Sequence, residues 1–410
     1  MTNSPFETGP IVHFLYEPGD GGLDRVAILL ANGMASRGIE TELWLTKAHG
    51  SVGDMIAPNV TVRIVPTPRL GARGIQLLLQ IPAVTRMIRK YQPKAIFSAG
   101  NQTNLSLAIA RKLSGSSRTN FIQKITNPVL RPGLSRWARI ARTWRFGFTA
   151  RFADMCLTLS DADAEHYARI YPHAADKFQC VPNSYVTADM LKLGDSRQVR
   201  APGTPARLLA VGRITTQKDY PTLIAALALI AERPWSMTIL GDGSMREEIQ
   251  KQARSSGIAD RITFKGFVSD PTPFYAQSDI LVLSSQWEGL PAAPLEAMAT
   301  GCAIVATDCS EGLTRLLHRA GLETVPVQDA RALAGAIASA MDRPQATAPL
   351  RACAATGTDS GLRLGLNNRR KSSFAAPQQQ AAEDYQQTAH HRCPVDRITE
   401  DKNTDQRCDQ

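Results

Sequence analysis

The chain has 410 residues, 43% of them hydrophobic, with 47 lysines and arginines against 37 acids and a formal net charge of +10. That length and apolar content fit two domains with filled cores, and no stretch approaches the roughly 20 apolar residues of a membrane-spanning helix. The cysteines, at 156, 180, 302, 309, 353, 393 and 408, show no C-x-x-C or histidine-linked spacing, so reduced thiols are expected rather than a disulfide framework or a zinc site.

In chain order, Ile11 to Tyr16 reads as a strand, Glu17-Pro-Gly-Asp-Gly-Gly22 as a glycine-rich loop, and Leu23 to Arg37 as a helix with apolar Val26, Leu29, Leu30 and Met34, closed by Gly38. A strand from Thr41 to Thr46 follows. This βα unit invites a dinucleotide reading, but the glycines do not follow G-x-G-x-x-G, and the second strand ends in Thr46-Lys47 without an acid for a ribose. A hydride-transferring dehydrogenase is therefore disfavoured. Lys94 to Gly100 looks like a further strand, whose end points Asn101 and Gln102 toward an interdomain cleft. The polar first ten residues do not resemble a secretory signal, so a cytoplasmic location is expected.

Ten lysines and arginines and no acid lie between Arg111 and Arg151. Within that run, Ser135 to Arg151 can be drawn as a helix with Trp137, Ile140, Ala141, Trp144 and Phe148 on one face and Arg136, Arg139, Arg142 and Arg145 on the opposite one. Such periodicity favours packing of the aromatic face on the N-terminal sheet. The arginines then stay in solvent, where they can face anionic lipid of the inner leaflet. Nucleic-acid binding lacks a matching signature, because no zinc-finger spacing, helix-turn-helix or aromatic RNA-recognition motif accompanies the charge.

The second half carries the denser chemistry. Arg207 to Gly212 reads as a buried strand, followed by a loop flanked by Arg213 and Lys218 and a helix with Asp219 as N-cap and Pro221 in its first turn. Trp235 to Gly241 is another strand, ending in a Gly241-Asp-Gly243 turn, with Ser244 and Glu247 spaced as a capping box. Arg261 to Val268 is a third, where the backbone near Gly266 and Phe267 can meet a nucleobase. The apolar run Asp279 to Ser285 ends in Trp287-Glu288-Gly289-Leu290-Pro291, and Leu295-Glu296-Ala-Met-Ala continues as a helix to a stop at Gly301. Glu296 thus lies about one turn inside that helix. Carboxylates and a basic pair beside helix N-termini, outside the carboxyl ends of parallel strands, suit a nucleotide sugar: phosphates to the cations and amides, hydroxyls to the carboxylates. The bland alternative makes Glu296 a solvated first-turn acid and the cations ordinary surface charges.

Val211-Gly-Arg-Ile-Thr-Thr-Gln-Lys-Asp219, the Gly241-Asp-Gly243 turn and the Glu288-x7-Glu296 spacing resemble the retaining, nucleotide-sugar-dependent glycosyltransferases of GT-B fold, over roughly residues 10 to 345. The resemblance implies that Arg213 and Lys218 bind the donor diphosphate, Glu288 contacts the transferred sugar and Glu296 holds the ribose. It also implies that Gly21 and Gly22 close over the donor, with Asp24-Arg25 standing where relatives carry Glu-Arg. Gly212, Gly241, Gly266, Phe267, Gly289, Leu290 and Pro291 complete the expected donor site. The resemblance also implies a UDP- or GDP-sugar as co-substrate and generally no divalent metal. On the acceptor side Asn101 and Lys124 are candidates, with Asp20 a further one for the base. Val181-Pro-Asn-Ser184 resembles the segment leading to the hinge, which makes Asn183 structural.

The expected architecture is α/β, with an acceptor-side Rossmann-like domain over 1–190, a linker over 191–205, a nucleotide-sugar-binding Rossmann-like domain over 206–345, and a tail over 346–410. The tail has few large apolar residues and a Gln378-Gln-Gln380 run, so it is expected to be disordered. The expected activity is sugar transfer, with retention by front-face displacement, to a glycan or lipid-linked acceptor in cell-surface polysaccharide or lipopolysaccharide synthesis. An epimerase or hydrolase using the same donor, or a non-catalytic sugar-nucleotide-binding protein, is the alternative.

Overall fold

A computed structural model describes residues 9–343 apart from 20, 21, 69, 184, 198, 199 and 202. The expectations for Asp20, Gly21, Ser184 and the tail therefore lie outside the described residues. Two parallel sheets organise the rest. The first contains β1 (Ile11–Leu15), β2 (Thr41–Leu45), β3 (Thr61–Ile64), β4 (Ala95–Ser98), β5 (Asn120–Lys124), β6 (Met155–Thr158) and β7 (Phe178–Cys180), in the order β3-β2-β1-β4-β5-β6-β7. The second contains β8 (Ala206–Val211), β9 (Trp235–Leu240), β10 (Ile262–Gly266), β11 (Ile280–Leu283) and β12 (Ala303–Ala306), in the order β10-β9-β8-β11-β12.

These strands are short and rich in Val, Ile and Leu because helices cover both faces of each sheet, and β1, β2, β4, β6 and β11 are buried at every position. Strand order reverses between β1 and β4 in one sheet and between β8 and β11 in the other. Each reversal separates two neighbouring loops at the carboxyl edge and leaves a crevice there. The expected pair of doubly wound domains is present. The helix Ala188–Asp195 packs with the second lobe, where Tyr185 and Met190 join a cluster containing Leu281 and Leu295, so the chain crosses ahead of the expected linker. Among the described residues no helix is long and apolar enough to cross a membrane.

Three local expectations need correction. Asp219 stands at the N-cap position of Tyr220–Ala228 but adopts φ 48°, and its carboxylate accepts from the Thr222 hydroxyl at 2.8 Å instead of capping amides. The capping box does not form, since the helix Arg246–Ser255 starts one residue later than Ser244 requires and Met245 occupies its N-cap. The third concerns the helix Arg136–Phe152, capped by the Ser135 hydroxyl, which packs by the face opposite to the one expected. Phe146, Thr149 and Ala150 turn inward, where Phe146 meets the rings of Tyr167 and Tyr171 at 5.4 and 5.1 Å. Arg142 follows them and donates from Nε to the Val129 carbonyl at 2.8 Å. Trp137 and Trp144 are left 79% and 71% exposed. The inward face has an aromatic cluster and a carbonyl in need of a donor, and these outweigh the longer apolar stripe.

A polar row runs beneath the first crevice. His13 is buried and stacked on Phe97 at 5.0 Å, and burial, with Lys124 nearby, pushes its imidazole down to about 3. Burial likewise lowers the Lys124 ammonium to about 8. Asn183 behaves as the expected structural residue, donating to Tyr185 Oη at 2.6 Å while Tyr185 reaches the Leu290 carbonyl across the hinge.

His13 stays neutral in the fold down to about pH 3 but takes a proton near 6.5 when the chain unfolds. The unfolded state therefore binds more protons in that window, and stability contributed by this group is present above 6.5 and lost on acidification. Its share is at most about 1.4 kcal/mol per pH unit. Denaturant titrations should show a flatter acid limb for His13→Gln than for wild type; parallel limbs would contradict the assignment.

Candidate active site in the cleft between the lobes

The loops after β8, β9 and β10 are stitched into one wall. Gly212 N donates to the Leu240 carbonyl at 2.9 Å, Gly241 N to the Gly266 carbonyl at 2.7 Å, and Tyr220 Oη to the Gly212 carbonyl at 2.9 Å. Gly241 needs to be glycine: its φ is 131°, and a Cβ there would overlap the Gly212 carbonyl. This wall leads into the turn Thr216–Lys218 and brings Lys218 Nζ within 2.7 Å of Glu288 Oε1. Arg213 stands exposed on the rim of the same cleft, and no acid holds it among the described residues.

Glu288 follows β11 and is fixed from several directions. Ser285 Oγ donates to Oε1 at 3.0 Å, Gln217 Nε2 donates to Oε2 at 3.1 Å, and the Glu288 amide donates to the Cys309 carbonyl at 2.9 Å. Gln217 is itself held by the Trp287 carbonyl at 3.0 Å. Both carboxylate oxygens thus have fixed partners, and the lysine sits in a charge-assisted contact.

Glu296 occupies the fifth position of the helix Ala292–Ala299. It is 5% exposed, which removes the solvated-acid reading. Tyr275 Oη donates to Oε2 at 2.8 Å, and Arg25 Nη1, from the helix Gly22–Ser36 of the other lobe, lies 3.4 Å from Oε1. Burial pushes this carboxyl above its ordinary value, while Arg25 and the Tyr275 hydrogen bond pull it back.

The cleft encloses about 390 Å³, inside the roughly 300 to 1,000 Å³ usual for small-molecule sites. It collects Arg213, Lys218, Glu288, Glu296, Gly22, Gly212, Gly241, Phe267, Leu290, Pro291 and Asn101 from the expected set. Asn101 staples the wall, accepting from Thr126 N at 3.1 Å and donating to the Asn127 carbonyl at 2.7 Å. Gly266 and Gly289 do not line it. Gly266 supplies its carbonyl to Gly241, and Gly289 lies against the backbone of Thr126 in the first lobe. Lys124 is also absent from the cleft; it lines a separate small cavity with His13 and Asn183, because β5 ends with that side chain directed behind the helix Gly22–Ser36. Arg25, Tyr275, Gln217 and Ser285 were missed by sequence reasoning. Arg25 and Gln217 leave a signal, as the second residue of the Asp24-Arg25 pair and as the neighbour of Lys218 in the Val211 to Asp219 motif; Ser285 acts across a turn and Tyr275 across a helix contact that spacing does not reveal.

Comparison with known proteins follows this division into lobes. Residues 205–343 match the family model described as glycosyl transferases group 1, and residues 21–184 match a glycosyl transferase 4-like domain. An N-acetylgalactosaminyltransferase of Campylobacter jejuni, acting on N-acetylgalactosamine-N,N'-diacetylbacillosaminyl-diphospho-undecaprenol, is 21% identical over 307 residues, 74% of this chain and 82% of its own length. An uncharacterized glycosyltransferase of Methanocaldococcus jannaschii is 22% identical over 59% of this chain, and the chain spans 62% of that relative. Among solved structures, Anabaena HepE in complex with UDP and glucose superposes with a TM-score of 0.66 at 17% identity, covering 92% of this chain and 99% of that one. The fold is GT-B.

Gly289 predicts how tightly the lobes are apposed. A Cβ there would overlap the Thr126 carbonyl of the opposite lobe. Gly289→Ala should therefore open the cleft and lower stability by about 1 to 3 kcal/mol, as overpacking does. A thermal midpoint and a radius of gyration both equal to wild type would contradict this apposition.

Proposed function

The chain belongs to the group 1 glycosyl transferases, and from that premise we propose that it moves a sugar from a nucleoside diphosphate sugar to a hydroxyl of a glycan or lipid-linked acceptor. Cell-surface polysaccharide or lipopolysaccharide synthesis is the setting this suggests. The observation that carries the reading is the 2.7 Å pair between Lys218 and Glu288 in a cleft shared with Arg213 and Glu296. The C. jejuni relative's diphospho-undecaprenol substrate supports a lipid-linked acceptor, and HepE's complex with UDP and glucose makes UDP-glucose the first donor to test.

In this reading the diphosphate lies between Arg213 and Lys218, near the first amides of Ala292–Ala299, where cations and helix dipole favour it. Glu296 takes the ribose hydroxyls and Glu288 the hydroxyls of the transferred sugar. As the bond to the anomeric carbon breaks, negative charge grows on the departing phosphate oxygen, and two preorganised cations in a partly closed cleft stabilise it. Lys218 touches Glu288 as well, so one side chain links the leaving group to the sugar's orientation. The acceptor hydroxyl then attacks from the face the diphosphate leaves, its proton passes to the departing phosphate oxygen, and the anomeric configuration is retained.

Arg213→Ala and Lys218→Ala should each lose about 2 to 4 kcal/mol of transition-state stabilisation in kcat/KM, the usual loss for one preorganised donor. Thermal shift against UDP, GDP, ADP and their sugars selects the donor, and NMR of the product reports the anomer. Transfer rates near wild type in both variants would overturn the site, and an inverted product would overturn the stereochemistry.

A further inference from the structure

The outward face of the helix Arg136–Phe152 has no role in the cleft, and its chemistry is specific. Trp137, Ile140 and Trp144 are 79%, 50% and 71% exposed. Trp144 stacks on Phe148 at 5.8 Å, Phe148 meets Phe152 at 4.8 Å, and Lys112 Nζ sits 4.5 Å from the Phe152 ring centre. The result is an aromatic strip along one side of the helix, with exposed Arg136, Arg139, Arg145 and Arg151 around it. No acidic residue occurs between Arg111 and Arg151.

We propose that this face docks on an anionic lipid surface. Indole rings favour the boundary between headgroups and acyl chains, where an apolar body and a polar N–H are both satisfied, and arginines beside them meet lipid phosphates. Charge complementarity selects this occupant. A second copy seated face to face would set arginine against arginine with no acid on either helix to offset them. Docking also has a geometric consequence. The loop that precedes this helix contributes Thr126 and Asn127 to the cleft, and its Arg131 lies over the Trp287 ring at 5.5 Å. A docked helix therefore holds the mouth of the cleft close to the lipid surface, where a lipid-linked acceptor resides.

The test is sedimentation of the full chain, without donor, with vesicles of phosphatidylglycerol and phosphatidylcholine or of phosphatidylcholine alone. Omitting the donor keeps the result independent of sugar transfer. Wild type is expected to sediment with the anionic vesicles only, and less so as salt is raised. Trp137→Ser with Trp144→Ser should weaken partition at least about tenfold. Arg136→Ser, Arg139→Ser and Arg145→Ser should each weaken it about fivefold. These side chains are exposed, so unchanged circular dichroism and thermal midpoint serve as the folding control. Three outcomes would overturn the proposal: wild type indifferent to anionic lipid, variants that sediment like wild type, or a lipid-free dimer or oligonucleotide complex that the tryptophan variant abolishes while vesicle binding persists.

Discussion

Lys218 and Glu288 meet at 2.7 Å with their side chains only 18% and 9% exposed, and much of the second lobe is arranged to make that contact possible. Removing two charges from water is costly unless their remaining hydrogen-bonding capacity is met. Ser285 and Gln217 meet it for the carboxylate, and the lysine itself lines the cleft. The glycine turns after β8 and β9 set the path of the loop, the Tyr220 hydroxyl anchors it, and the Glu288 amide is fixed on the Cys309 carbonyl. In the proposed function, an anion entering beside Arg213 would meet a cation whose geometry is already determined, leaving little reorganisation for the reaction itself.

The two lobes share this arrangement. Arg25 reaches Glu296 from the first lobe, Tyr185 reaches the Leu290 carbonyl from the crossing segment, and Gly289 accommodates the Thr126 backbone. Val26 joins the same apolar cluster as Leu281 and Leu295, so the helix Gly22–Ser36 faces both its own sheet and the opposite lobe. Opening the lobes would separate Glu296 from Arg25, which makes the carboxylate's electrostatic environment a function of closure.

Much of this was legible in the sequence because it rests on local rules. Strands such as β8 and β11 are short apolar runs ended by glycine, serine or a charge, and the loops after them carry Arg213, Lys218 and Glu288 in positions that parallel topology converts into neighbours. What was not legible depended on competition between surfaces. The helix Arg136–Phe152 has its longer apolar stripe outward, since Phe146 alone finds the Tyr167 and Tyr171 rings and Arg142 finds a carbonyl. Lys124 is an acceptor-side candidate in the sequence, yet side-chain direction at the last residue of β5 carries it into a separate cavity. Tyr275 became a partner of Glu296 only through contact between the helices Thr272–Gln277 and Ala292–Ala299, which no spacing in the chain encodes.

The most direct measurement of the central contact is a double-mutant cycle on kcat/KM with Lys218→Ala, Glu288→Gln and the combination, using the donor that binds. If one side chain links the leaving diphosphate to the sugar, the two losses overlap, and the interaction energy should be about 1 to 3 kcal/mol. Losses that add to within about 0.5 kcal/mol would mean that the lysine and the glutamate act independently, and the account built on their contact would fail.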